Sequence, residues 1–519
     1  MKIALLDLNH NTRGIHTNTA PYALGLIACY LQKNIDHNFD IKIFKDTDKA
    51  LDTFASWMPD VLGISQYLWN SELNLYVAGL IKQKNPKCFI VAGGPNLDFS
   101  SNRRLEYFKK NPFVDICVPY DGEIPFTEII RRILSRDTLA GLRKNPVLGS
   151  YALDYESKRV VDNVNPAPRL NNIDVFGSIY ADGFFDEFLN NGFHPHIQTH
   201  RGCPFQCTYC HTSDNYYSKM LFLSPEIFQK EMDYLGKRFQ GQHNVTLYMG
   251  NTNMTLFKED FSIAEIIRQT QDKYDWPKII NVNCGKDPDK LLKMLSIIKF
   301  EATVSLQTLT PKVLQIIKRK NIPLKNFVSF MQEVSKITNE MLSTDLILCL
   351  PKETKKTFLL TLKKTLNAGI ENIVVYTLMN LKGTELASEK FCKRYKYQIR
   401  HRVVPRQFSQ INKDKVLDTE EVVVATSTLS FKDYIDLRGL TFTVTAYLSA
   451  ELIPLKRLLR EHKINISDWV FGIHEKIKKD PDTRQLYKDF IKETKKELFS
   501  SRQALLKFFN KEENFQALC

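Results

Sequence analysis

Residues 199–210 read Thr199-His200-Arg201-Gly202-Cys203-Pro204-Phe205-Gln206-Cys207-Thr208-Tyr209-Cys210, which puts three cysteines on one short loop directly after a strand-like segment, His196 to Thr199. Thiolates are the ligands that iron-sulfur clusters require. Three of them hold three irons of a 4Fe-4S cluster and leave the fourth open, whereas an electron carrier would need a fourth cysteine. The competing reading is tetrahedral zinc, with Cys207 and Cys210 as a C-x-x-C pair completed by His211 or His200. Zinc gives no reason for the spacing of Cys203 or for the aromatic Tyr209.

Downstream of the loop the pattern alternates. Val245 to Met249, Ile279 to Asn283, Ala302 to Leu306, Ser343 to Leu348 and Asn372 to Leu378 are strand-like, with helix-like segments between them. With His196 to Thr199 they make six units, which fits an open, partial (β/α)6 barrel over residues 191–400 and places the cysteine loop at the top of its first strand. After about Arg400 the chain is richer in charged amphipathic helix, above all Leu452 to Leu459 and Gln485 to Phe509, so a mostly helical region is expected over 401–519.

Upstream, Lys2 to Asp7, Phe39 to Phe44, Val61 to Ser65 and Cys88 to Ala92 read as strands, and Pro21 to Gln32 and Glu72 to Lys84 as helices. The fold class is therefore α/β, opening with a doubly wound, Rossmann-like domain over 1–140 whose ligand site lies at the carboxyl ends of the strands. Periodicity weakens from Gly141 to Asn190, among Pro146, Pro166 and Pro168, and a linker with some short structure over 141–190 is expected there.

A chain of 519 residues exceeds what one core usually serves. The 43% hydrophobic and 25% charged composition is that of a globular protein. The net charge of +14 would suit an anionic partner, but Lys and Arg are interleaved with Asp and Glu, which argues for a solvated basic surface and against nucleic acid. Ten cysteines without a secretory leader at Met1 to Asp7 fit a reducing cytosol, and no apolar run reaches membrane-spanning length.

The loop resembles the radical S-adenosylmethionine (SAM) superfamily signature, C-x-x-x-C-x-aromatic-C, with the Arg-Gly-Cys-Pro lead-in common in its cobalamin-dependent branch. The resemblance extends along the barrel. Thr344 to Thr354 is similar to the family's strand-five segment ending in Gly-Leu-Pro-Gly-Glu-Thr, with Cys349 and Lys352 in place of both glycines. Ser305-Leu306-Gln307-Thr308 matches the strand-four region, Lys318-Arg319-Lys320-Asn321 a Lys-x-Asn element, and Leu381 to Leu386 a Pro-Gly-Thr loop. Tyr248 to Met254 stands where relatives carry Phe-x-Asp-Asp-Asn-Phe, the acidic positions being Asn251 and Thr252. In the N-terminal domain, Gly93-Gly94-Pro95 and Asp121-Gly122-Glu123 resemble the strand-end loops of the cobalamin-binding domain, and Tyr22 to Ala28 its helix opening. The Asp-x-His-x-x-Gly cobalt-ligand signature is absent, as in many relatives.

The resemblance implies a cytoplasmic enzyme in which Cys203, Cys207 and Cys210 bind the 4Fe-4S cluster and SAM chelates its open iron. An electron from the cluster would cleave SAM to a 5'-deoxyadenosyl radical. It assigns Tyr209, Gly250, Asn251, Ser305, Gln307 and Ile347 to SAM. It assigns Ser65, Tyr67, Trp69, Gly93, Gly94, Gly122 and Glu123 to cobalamin, with Tyr67 or Trp69 covering the lower cobalt face. Methyl transfer to a small-molecule or peptide substrate is the expected outcome, and rearrangement, ring closure or oxidative cyclisation the alternative. A nucleic-acid-modifying methylthiotransferase would show three more cluster cysteines and a C-terminal RNA-binding barrel, and neither is present. An electron donor such as flavodoxin or ferredoxin is implied. Cys284, Cys349 and Tyr376 are the catalytic candidates, the two cysteines, at strand ends, as reactive or hydrogen-donating thiols, and Tyr376 and Asn283 are the candidates for contact with substrate.

Overall fold

The computed structural model describes residues 1–13, 17–97, 101–285, 287–300, 303–322, 329–330, 333–334, 343–368, 370, 372–448 and 452–519. Its N-terminal sheet has seven strands: β1 (Lys2–Asn9), β2 (Asp40–Asp46), β3 (Val61–Ser65), β4 (Phe89–Gly93), β5 (Ile116–Val118), β6 (Ser150–Asp154) and β7 (Arg159–Asn163). Their order is β2-β1-β3-β4-β5-β6-β7, the first five parallel and the last two antiparallel. The segment expected as a linker thus supplies an antiparallel hairpin to the sheet edge.

Helices α1 (Tyr22–Asn34), α2 (Thr47–Ser56), α3 (Ser71–Lys84), α4 (Ser101–Lys110) and α5 (Glu123–Leu134) follow the five parallel strands. Both sheet faces are covered. Ile3 and Leu5 pack in one apolar cluster with Leu24, Ala28 and Phe126, while Ala4 and Leu6 pack in another with Phe54 and Leu73. Burial on both faces is why these strands read as continuous apolar runs. In the order 2-1-3-4-5 the topology switches direction between β1 and β3, and a crevice opens there at the carboxyl ends of the strands.

In the second half, β8 (His196–Ile197), β11 (Thr246–Met254) and β12 (Ile279–Cys284) form one parallel sheet, and β13 (Ser343–Leu348) and β14 (Asn372–Thr377) another. Between them β9 (His200–Arg201) and β10 (Leu221–Phe222) pair antiparallel beside the cysteine loop. Parallel bridges from Thr303 to Asn283 and Ser343, and from Gln307 to Leu346, join the two sheets. The six staves therefore run in sequence order, as a partial barrel does. Of the expected fourth stave, Ala302 lies outside the described residues.

The region after 400 opens with a long hairpin, β15 (Gln398–Ile411) and β16 (Asp414–Ala425), and is helical from Phe431 onward. The hairpin is charge-rich because its charges pair within it: Arg402 Nε donates to Glu420 Oε1 at 2.6 Å. It also binds the two halves together. Val423 N–H donates to Leu378 C=O at the end of β14. At the other end Asp418, 1% exposed, accepts from the Glu72 amide at 2.8 Å and lies 2.8 Å from His10 Nε2, whose Nδ1 meets Ser409 Oγ at 2.9 Å.

Candidate active site at the domain junction

Backbone contacts clamp the cysteine loop from several sides. Gly202 has φ +117, and a Cβ there would lie 2.7 Å from Tyr217 O and 2.8 Å from Lys219 O, so only glycine turns the chain here. Cys203 N–H then donates to Tyr217 C=O at 2.9 Å, Thr208 N–H to Ile317 C=O at 3.2 Å, and Leu386 N–H to Thr208 C=O at 2.9 Å. Cys203 and Cys207 are buried and Cys210 is half-buried, all as free thiols. Asn253 Nδ2 is 3.4 Å from Cys203 Sγ, and Thr212 Oγ1 is 3.1 Å from Cys210 Sγ. Burial holds the Cys210 thiol above its ordinary value, so its thiolate forms as metal binds.

Among the described residues no three His, Cys, Asp or Glu side chains converge on one point. His200 is turned to Asp260, with Nδ1 3.1 Å from Oδ1, and its ring packs against Phe222 and Phe257. Thiols that each bind a separate iron need no such convergence, and the donor set fits a cluster.

The residues assigned to SAM divide into two groups. Tyr209 OH accepts from Arg319 Nη1 at 2.8 Å, and burial pushes its phenol well above the ordinary value. Arg319 Nη2 also donates to Ser305 C=O, and Ser305 Oγ donates to Asp345 Oδ2 at 2.6 Å. Gln307 has φ +64, and its buried Oε1 has no hydrogen-bond partner, an acceptor left for a ligand. Ile347 N–H donates to Gln307 C=O at 2.9 Å. Asn251 serves otherwise. It is 1% exposed, its Oδ1 accepts from Thr199 N–H at 2.9 Å and its Nδ2 donates to Thr199 Oγ1 at 2.7 Å, which ties β11 to the stem of the cysteine loop. Gly250 faces His196, whose Nε2 would be 2.7 Å from an added Cβ.

Cys349 and Lys352, standing where relatives have glycine, have φ +72 and +67. The glycine-type turn is kept at a cost of about 1–2 kcal/mol per residue. The turn is braced by Glu353, fully buried, which accepts from the hydroxyls of Thr308 at 2.7 Å, Thr310 at 2.8 Å and Thr357 at 2.5 Å. Replacing Glu353 with alanine takes the acceptor from one buried hydroxyl, Thr308, and two half-buried ones, Thr310 and Thr357, and a loss of about 2 kcal/mol is expected in urea unfolding.

At the switch point, a cavity of about 340 Å³ opens between the two halves. Ser65, Tyr67, Gly93, Gly94, Gly122 and Glu123 line it from the N-terminal sheet, and Arg201, Gly202, Gly250 and Thr252 from the barrel. A Cβ on Gly93 would meet only Val118 O, at 3.5 Å, so the bare backbone leaves room on the cavity side. Tyr67 is on the wall, and Trp69, 37% exposed, stacks on it with centroids 4.6 Å apart. Beneath, Asp7 accepts from Ser65 Oγ at 2.9 Å and Asn70 Nδ2 at 2.7 Å, and pairs with Lys45 at 3.1 Å. Burial lowers the His196 pKa to about 4, so at pH 7 the ring presents no charge to the cavity. Glycine backbone, aromatic walls and hydroxyls suit a large planar ring.

The substrate candidates separate. Tyr376 is 48% exposed on β14, opposite Ile347, and Asn283 pairs with Thr303. Cys284 is half-buried, with burial raising its thiol to about 12. Cys349, read as facing the cavity, is fully buried in an apolar cluster with Leu348, Leu350 and Phe358, and burial holds its thiol far above the ordinary value. Sequence reasoning did not single out Arg201, Arg319, Asn253 or Asp345. The signal for Arg201 was present as opposite charges in two quoted motifs, Arg201-Gly202-Cys203 and Asp121-Gly122-Glu123.

Residues 197–384 match the model of the Radical SAM superfamily. The chain is 27% identical over 467 residues to the cobalamin-dependent radical SAM methyltransferase TokK of Streptomyces tokunonensis. It is 26% identical over 467 residues to the 2-(S-pantetheinyl)-carbapenam-3-carboxylate methyltransferase of Streptantibioticus cattleyicolor. Each match takes in 83% of this chain and 65% of the relative, so the chain spans just under two thirds of those proteins. Among solved structures, the cobalamin-dependent SAM radical enzyme OxsB, with aqua-cobalamin and SAM bound, superposes with a TM-score of 0.61 at 13% identity, over 100% of this chain and 79% of that one. The radical SAM methyltransferase TsrM of Kitasatospora setae, with cobalamin and a [4Fe-4S] cluster, gives 0.56 at 15% identity, over 75% and 78%. At such identities the likeness is one of fold. Among the described residues no helix is long and apolar enough to cross a membrane.

Proposed function

We propose that this chain is a radical SAM enzyme of the branch with a cobalamin-type N-terminal domain, and that it is a cobalamin-dependent methyltransferase acting on a small molecule or peptide. The observation that carries the reading is the junction cavity, walled by glycine and tyrosine from the sheet's switch point and by the stem of the cysteine loop from the barrel. A radical SAM barrel acting alone has no use for it.

Cys203, Cys207 and Cys210 would hold the 4Fe-4S cluster. Gln307 Oε1, Gly250 and the Tyr209-Arg319-Ser305 chain of hydrogen bonds would receive SAM, and Asn251 fixes the strand ends that carry them. Ser65, Tyr67, Gly93, Gly94 and Gly122 would hold the corrin, with Trp69 backing Tyr67. When bound, the cluster supplies the electron that cleaves SAM and cobalamin supplies the methyl-carrying centre. The protein's share is to hold these groups in one buried junction and to keep charge off the wall at His196. Tyr376 and Asn283 would contact the substrate. The carbapenam named for the Streptantibioticus cattleyicolor methyltransferase supports a small-molecule substrate, and a reducing cytosol with a flavodoxin or ferredoxin as electron donor suits three free thiols and a cluster that must be reduced.

The test is anaerobic reconstitution with iron, sulfide and hydroxocobalamin, followed by SAM, reductant and candidate substrates. Absorbance near about 400 nm, one bound corrin, and S-adenosylhomocysteine formed alongside 5'-deoxyadenosine are expected. Deoxyadenosine without S-adenosylhomocysteine would point instead to rearrangement, ring closure or oxidative cyclisation.

A further inference from the structure

Arg201 spans the two halves of the site. Its side chain is 10% exposed; Nη1 donates to Glu123 Oε1 at 2.8 Å and lies 3.5 Å from Asp121 Oδ2, while Nε donates to Gln198 Oε1 at 3.2 Å. Glu123 is the first residue of α5, with its side chain 5% exposed. The neighbouring cation, Arg169, stands 3.7 Å from Asp121 and gives Nη1 to the carbonyls of Tyr216 and Lys219, so it does not replace Arg201 at Glu123.

The link from Arg201 to the first cluster thiol is two residues long and rigid. Gly202 has no room for a side chain, its C=O accepts from Thr252 Oγ1 at 2.7 Å, and Cys203 N–H is held by Tyr217 C=O. Displacement of Glu123 is therefore passed to Cys203 instead of being absorbed. Glu123, Arg201, Gly202 and Tyr217 all line the junction cavity, so what fills the cavity bears on this clasp. A charge pair so far from water is costly to break, because each partner is left buried and uncompensated.

We infer that Arg201 is a positioning residue that couples the cobalamin site to the cluster site through Glu123, an inference that rests on the cofactor reading above. Coupling of this kind is reciprocal: an assembled cluster tightens corrin binding, and bound corrin favours the assembled cluster by the same factor.

The test uses the full chain, prepared with and without a reconstituted cluster and titrated anaerobically with hydroxocobalamin. Wild type is expected to bind roughly tenfold more tightly with the cluster in place. In Arg201→Gln the two affinities become equal, and Arg201→Lys restores part of the difference. Should Arg201→Gln fail to fold, Glu123→Gln keeps the shape, removes the charge and makes the same test. A variant that weakens both states equally and keeps the ratio assigns Arg201 to structure alone and overturns the inference, as does a wild type whose affinity ignores the cluster. No hydroxocobalamin binding in either wild-type state overturns the cofactor reading itself.

Discussion

Cys207→Ala is expected to remove the cluster and reduce SAM cleavage at least about a thousandfold, with iron content falling to background after reconstitution and the absorbance near about 400 nm lost. On the proposed reading the three thiols would be the protein's whole contribution to the cluster, and Cys207, buried, is the middle one along the loop. Alanine leaves two irons held and two open. The loop itself keeps its course, since the amides of Cys203 and Thr208 bond to Tyr217 and Ile317 and no thiol takes part in those bonds. Circular dichroism of the variant should therefore match wild type, which separates lost chemistry from lost folding. Cys392→Ala is the control. That thiol sits on the helix Glu389–Tyr395, with its sulfur 3.8 Å from Asn380 Oδ1, and its removal should leave iron and SAM cleavage unchanged. Zinc in place of iron in the wild-type protein would overturn the assignment.

The parts of the molecule that were legible in the sequence are those in which one segment carries its own pattern. Strands covered on both faces announce themselves as apolar runs, and β1, β3 and β4 were found that way. The cysteine triplet needs no partner elsewhere to be read. Pairings between distant segments were not legible. The hairpin β15–β16 was taken for helix because its Arg, Glu and Lys residues look solvent-seeking until Arg402 is seen to meet Glu420 across the strands. The Ser150–Asn163 hairpin reads as linker in the sequence because the prolines that flank it, Pro146, Pro166 and Pro168, and its own polar residues mark turns without revealing the sheet edge they feed.

The site divides along the same line. The structure brings Gly93, Gly94, Gly122 and Tyr67 to one cavity because each ends a strand of one sheet or lies on the loop that follows it, and the switch point gathers those loops. The expectations for Asn251 and Cys349 share one assumption, that a polar or reactive side chain at a strand end faces the cavity. Asn251 spends both polar atoms on Thr199, and Cys349 is fully buried among Leu348, Leu350 and Phe358. Arg201 was missed because its meaning lies in Glu123, 78 residues upstream.

Gly94→Val should weaken hydroxocobalamin binding by roughly a hundredfold while sparing the cluster, and the reason lies in what Gly94 touches. Its φ is +126, a region that side-chain-bearing residues rarely adopt, and a Cβ would stand 2.9 Å from Gln66 O and 3.1 Å from Gln66 N. Those atoms are backbone and cannot swing aside. Gln66 is held in turn, its N–H donating to Gly93 C=O at 2.7 Å and its C=O accepting from Asn96 N–H at 2.9 Å, so the whole turn from Ser65 to Tyr67 must move. Tyr67 forms part of the cavity wall and carries Trp69 stacked on it, and the displacement therefore reshapes the floor on which the corrin would rest. Backbone strain at such a position costs about 1–3 kcal/mol, and about 2.7 kcal/mol corresponds to a hundredfold in affinity. Gly93→Ala makes the comparison. A methyl there meets nothing of the protein closer than 3.5 Å, so it leaves the turn intact and any loss of affinity reports the methyl group against the ligand itself. Titration of both variants by the visible spectrum of hydroxocobalamin, with iron content measured in parallel, decides the matter. Binding by Gly94→Val within a few-fold of wild type would place the corrin somewhere other than the switch-point cavity, and with it would go the case for a cofactor seated opposite Cys203.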